Sequence, residues 1–128
     1  MTYRFPLRVY YEDTDMGGIV YHANFLKFIE RARSEWVAEL GIDQNAMREE
    51  GAVFAVRRVE ADFMAPARHG DALEVRTEVV SVGGARLVLD QAVMRGEELL
   101  FTARVTLACI ALSGQPLRLP EAVRKRVH

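Results

Sequence analysis

The chain has too little cysteine to cross-link itself, since Cys109 is the only one in 128 residues. An internal disulfide is excluded, and with three scattered histidines so is a zinc site of the usual ligand spacing. Charge of one sign is also missing. Seventeen Lys and Arg stand against eighteen Asp and Glu, giving a formal net charge of −1 mixed along the chain. No strong field favours nucleic acid, and no such partner is expected. No apolar run approaches the ~20 residues of a membrane-spanning helix. The opening Met-Thr-Tyr-Arg-Phe-Pro lacks the apolar core of a secretory signal. The cytoplasm is therefore the expected location, without stable membrane insertion. Repeats and low-complexity tracts are absent too. What is present is an ordinary globular composition, 50% hydrophobic and 27% charged, at a length that suits one domain over residues 1–128.

Alternation over residues 4–11 predicts a first strand, with Val9 and Tyr11 on one face. From Asn24 the period changes, and Phe25, Phe28, Ile29, Ala32, Trp36, Val37 and Leu40 recur at helical spacing. Asn24 is the expected N-cap and Gly41 the expected residue just past the end. That gives a helix of about 16 residues, or roughly 25 Å. Asp43 is expected to cap a short second helix ending near Gly51. After Gly51 the pattern is β throughout. Strands are expected over 52–64, with a bulge near Arg57-Arg58, and over 73–79, 85–94 and 98–111. Gly70-Asp71, Gly83-Gly84 and Gly96-Glu97 supply the turns. Pro116 and Pro120 are expected to end regular structure. Cys109 shares the parity of Leu99, Phe101, Val105 and Leu107 and reads as a buried, inert thiol. The expected fold is α+β: an antiparallel five-stranded sheet, its last four strands a meander, wrapped around one long central helix. Such a sheet leaves edges and a second face open, so a homodimer or homotetramer (a dimer of dimers) is expected.

Chemistry is concentrated in residues 10–24, Tyr-Tyr-Glu-Asp-Thr-Asp-Met-Gly-Gly-Ile-Val-Tyr-His-Ala-Asn. Asp15 and His22 flank a glycine pair beside a helix start, where N–H groups lack intrahelical partners and can polarise an electron-rich oxygen. Asp15 is either a catalytic carboxylate or a turn aspartate accepting backbone N–H bonds. His22 is either an acid–base or hydrogen-bonding group or a capping histidine. Asp13 reads as structural and Glu12 as solvated, while Tyr11 stands at the mouth of the loop. Gly17-Gly18 fits neither a P-loop nor a dinucleotide fingerprint. An EF-hand register from Asp13 supplies too few oxygens, because Gly17 takes the fifth place and Asn24 the twelfth. Ser34, Ser81 and Ser113 lack a nucleophile elbow. Carboxylate chemistry assisted by a helix terminus remains.

Residues 11–25, continuing into Glu30-Arg31-Ala32-Arg33, resemble the hotdog-fold thioesterases, in the branch holding 4-hydroxybenzoyl-CoA thioesterase and the YbgC-like acyl-CoA thioesterases. Asp62-Phe63, Pro66 and Gly70-Asp71 fit the same pattern, so the resemblance spans nearly the whole chain. It implies a hotdog fold and hydrolysis of short- to medium-chain acyl-CoA to free acid and CoA. It also implies Asp15 as the catalytic carboxylate and His22 as its catalytic companion. The hydroxybenzoyl enzyme has tyrosine at the His22 position, which argues against that aromatic substrate. The His22 amide is the implied donor to the thioester carbonyl, and Tyr11 and Gly18 are implied substrate contacts. Arg86 is implied to meet the CoA phosphates, with Arg57 and Arg58 as alternatives. No metal or redox cofactor is required. Asp15 either activates water or attacks directly, and the resemblance leaves both routes open. A non-catalytic module binding acyl-CoA or acyl carrier protein is the alternative function.

Overall fold

The computed structural model describes residues 2–127. In chain order it has β1 (Tyr3–Arg8), a 3₁₀ turn (Tyr11–Asp13), α1 (His22–Glu39), α2 (Gln44–Glu49), β2 (Ala52–Phe63) and β3 (Ala72–Val82). β4 (Arg86–Arg95), β5 (Glu98–Ala111), β6 (Pro116–Leu117) and α3 (Glu121–Arg126) follow. Among the described residues one antiparallel sheet runs in the order β1-β3-β4-β5-β2, with β6 added against β5. Five long strands curve around α1, as the hotdog reading expected, and the two-residue β6 is a sixth.

The helix forms where its apolar stripe can be covered. Phe25, Phe28, Ile29, Ala32, Trp36 and Val37 are all buried against the inner face of the sheet. Its end is a Schellman turn: Gly41 N–H donates to Ala38 O and Ile42 N–H to Val37 O, with Gly41 at φ +83. Asp43 caps α2 by accepting the N–H groups of Asn45 and Ala46. Cys109 is buried, and burial pushes its thiol pKa up, as an inert core residue requires. The β2 bulge falls between Val56 and Arg58.

Several expectations need correction. The last four strands are not one meander, because β2 pairs with β5 and β1 with β3, leaving only β3-β4-β5 consecutive. Alternation reports which face a strand buries and carries nothing about its partner. β1 stops at Arg8, so Val9 is buried while Tyr11 is 81% exposed. The cause is the 3₁₀ turn, in which Asp13 accepts the Tyr10 N–H on its carboxylate. Leu99 falls out of the buried parity because the β4–β5 register shifts at Val93/Met94, turning both Leu100 and Phe101 inward. Regular structure also continues past both prolines. Pro120 stands at the N-cap of α3, where its fixed φ and missing N–H cost nothing. Leu119, Val123 and Val127 are buried against the core.

Candidate active site

The Asp15 loop is a small hairpin standing on the start of α1. Tyr21 N–H donates to Asp13 O at 2.9 Å, Thr14 bridges Val20, and Asp15 N–H donates to Ile19 O at 3.0 Å. Two rungs of this ladder separate Asp15 from the helix start, roughly 7 Å at strand rise. Beneath it Asp13 is only 2% exposed. Its carboxylate accepts the Tyr10 N–H at 2.9 Å and the Asn24 amide at 3.0 Å, tying the loop to the first turn of α1. Asn24 is therefore not the N-cap. Tyr21 holds that position, α1 begins three residues earlier, and the Asn24 side chain is spent on Asp13.

Asp15 itself is exposed, and its Oδ1 accepts the Gly17 N–H at 2.8 Å, an Asx turn within the loop. A Cβ at Gly17 would stand 3.2 Å from that same Oδ1 and press on the carboxylate. Gly18 is at φ +75 and faces open space. At the helix start, Asn24 N–H donates to Tyr21 O, while the N–H groups of His22 and Ala23 have no acceptor among the described residues. These are the orphan donors that every helix N-terminus presents. The exposed His22 ring stands between two aromatics, 4.7 Å from Tyr21 and 5.9 Å from Phe63 between centroids. Behind it Phe25 and Phe101 stack at 5.1 Å, and Phe63 meets them edge-on.

A second loop, residues 64–71, buttresses the first. Val20 N–H donates to Ala67 O at 2.8 Å, and Ile19 bridges Arg68. Asp71 holds that loop by accepting the Arg68 N–H at 2.8 Å and Arg95 Nη1 at 2.7 Å. The Arg68 N–H, then the Arg95 guanidinium, hold the Asp71 carboxyl below the usual carboxylate range. On the far side of α1, Gln91 donates to Ile29 O and Thr77 Oγ1 and accepts from Arg33. Burial lowers the Arg33 pKa from its ordinary value.

The structure thus brings Asp15, Gly18 and His22 to one end of the fold. Tyr11 is at that end as well, exposed and edge-on to His69 at 6.4 Å. Arg86 is not. It shares a rung with Ala108, as does Ala55, whereas Phe63 lies eight residues further along β2, roughly 26 Å at strand rise. Arg57 and Arg58 lie exposed at mid-strand, Arg58 paired with Glu60. Sequence reading missed the Asp13–Asn24 contact, for which a carboxylate and an amide bracketing the loop were the available signal. It also gave Phe63 no role, although an aromatic ending a strand beside Pro66 was there to be weighed. Among the described residues no cluster of three or more His, Cys, Asp or Glu could hold a metal ion, and no helix is long and apolar enough to cross a membrane.

Comparison with known proteins places the chain in a family. Residues 9–127 match the thioesterase-like superfamily. The chain is 42% identical over 123 residues to the acyl-CoA thioester hydrolase YbgC of Escherichia coli O157:H7, covering 94% of this chain and 92% of that one. It is 41% identical over 128 residues to the acyl-CoA thioesterase YbgC of Haemophilus influenzae, covering 98% and 94%. Among solved structures it resembles a probable thioesterase from Bartonella henselae, with a TM-score of 0.90, 38% identity, and coverage of 94% and 100%.

Proposed function

The chain belongs to the thioesterase-like superfamily and is an acyl-CoA thioester hydrolase, and from that premise we propose that Asp15 and the start of α1 carry the reaction. The observation that supports this most is the pair of unpartnered N–H groups at His22 and Ala23, two rungs from an exposed carboxylate. A thioester carbonyl seated there meets donors aimed at its oxygen. As attack proceeds, negative charge gathers on that oxygen, and each such donor contributes about 3 kcal/mol in comparable sites.

Asp15 supplies the base or the nucleophile. As base it takes a proton from water, whose oxygen adds to the carbonyl carbon. The tetrahedral species then collapses with loss of CoA thiolate, which takes up a proton. As nucleophile its carboxylate oxygen adds instead, and loss of CoA thiolate, which takes up a proton, gives a mixed anhydride that water opens. Single turnover in ¹⁸O-water separates the two, since label reaching Asp15 marks the anhydride. His22 orients the thioester or the water, Gly18 leaves room for substrate, and Tyr11 borders the mouth. The substrates are short- to medium-chain acyl-CoAs.

The Arg86 assignment requires a second copy. β2 is a twelve-residue edge strand with Val56, Val59 and Phe63 exposed, the kind of edge that proteins cover. Antiparallel pairing of two β2 strands about a two-fold axis near the bulge joins both sheets. It sets the partner's Arg86 at the site end, three strand spacings or about 14 Å from β2. Arg118, whose guanidinium lies against Gly84, adds a second cation to that hairpin. Together they suit the phosphates of CoA.

Thiol release measured over a panel of acyl-CoAs tests the function. Release with several short and medium chains is expected. Tight binding without release would replace the hydrolase with a binding module.

A further inference from the structure

The geometry points to Phe63 as the residue that decides which acyl chains enter the site, an inference that rests on the proposed hydrolysis and extends it to specificity. α1 and β2 run in opposite directions over the same face of the sheet. His22 meets Phe63 at one end, and Arg33 and Val56 line a common cavity toward the other. Between these ends α1 leaves the inner face of β2 uncovered. A trough of about 500 Å³ results, lined by Leu26, Ile29, Val56 and Val59 together with four charged residues of α1. Leu26 is one helical turn from His22, and Val59, Ala61 and Phe63 follow one another on one face of β2. The seven helical steps from Leu26 to Arg33 span roughly 10 Å at helical rise. The trough therefore continues from the point where the thioester carbonyl is placed, and its apolar walls suit an alkyl chain.

Phe63 lies between Val59 of the trough and His22 of the site, on the same face of β2 as Val59. The ring is 52% exposed, yet it is held from behind by Phe101 at 5.0 Å and Phe25 at 6.1 Å. Both of those are buried and stacked on each other, so there is no space for Phe63 to swing inward. The ring is thus a step between the reacting end and the trough that cannot retreat into the core. Short acyl groups find apolar cover on it, and longer ones must get past it. Removing the ring joins the two spaces, after which each methylene that gains apolar cover raises kcat/KM by about tenfold.

The test compares wild type, Phe63→Ala and Phe63→Leu on straight-chain acyl-CoAs from acetyl to dodecanoyl. The ratio of kcat/KM for decanoyl-CoA over butyryl-CoA is expected to rise about tenfold or more in Phe63→Ala, with Phe63→Leu between. Adding Val59→Trp, which fills the trough from its wall, should return the ratio toward wild type. Calorimetric binding of non-hydrolysable thioether analogues should follow the same order. A uniform change across the panel, or a shift toward shorter chains, overturns the gate and leaves the hydrolysis standing. No hydrolysis of any acyl-CoA by the wild-type protein overturns both.

Discussion

Two aspartates two residues apart have opposite environments, and that contrast carries most of the site. Asp13 is buried and accepts two N–H groups, so it fixes backbone, whereas Asp15 is exposed and bonds only within its own loop. Replacing Asp13 with Asn removes a charge-assisted acceptor and turns an N–H₂ toward one of the two donors, Tyr10 N–H or the Asn24 amide. Asp13→Asn should lose about 1–3 kcal/mol of stability by urea denaturation, together with much of its thioesterase activity. An unchanged unfolding midpoint would mean the contact contributes nothing. The sequence showed the loop because carboxylates, glycines and an imidazole rarely gather without cause. It could not show which aspartate is buried, since that depends on where β1 stops and on Asn24 turning back to meet Asp13. The same limit misread Asn24 as a cap: Asn is favoured at that position, but its side chain had a better acceptor eleven residues earlier.

At the scale of elements, α1 is the frame on which the site hangs, and its two ends are finished differently. Its start is left with free donors, whereas its end is closed by Gly41 and by Arg126, whose Nη1 donates to Leu40 O at 2.6 Å. The guanidinium also places positive charge at the helix C-terminus, where the macrodipole is negative. A Cβ at Gly41 would both demand a strained φ of +83 and collide with the Arg126 guanidinium. Gly41→Ala is expected to cost about 1–3 kcal/mol of thermal or chemical stability, and a loss below about 0.5 kcal/mol would show that Arg126 and the turn adjust freely. Helix periods, the Asp43 cap, the β2 bulge and the Gly96-Glu97 hairpin were all legible, because each is written in local spacing. The β2–β5 pairing was not, because strand order is decided by which arrangement covers α1. Pro120 was read as a stop although proline is equally at home at a helix start.

For the whole molecule, strand order settles where function can be assembled. Arg86 lies at the wrong end of its own protomer for the Asp15 loop, a fact invisible without knowing that β4 runs antiparallel to β5 beside β2. The proposed two-fold pairing of β2 repairs this and closes the open backbone edge of that strand. Sedimentation velocity at micromolar protein should show a dimer or a larger even assembly, and a monomer would remove the partner's Arg86 from the site. The proposed reaction depends most on Asp15. Steady-state hydrolysis of the best acyl-CoA by Asp15→Asn, with folding checked by circular dichroism, addresses it directly. A fall in kcat of about 10²–10⁴-fold is expected from loss of a positioned base, whereas turnover within a few-fold of wild type in a folded variant would take Asp15 out of the chemistry.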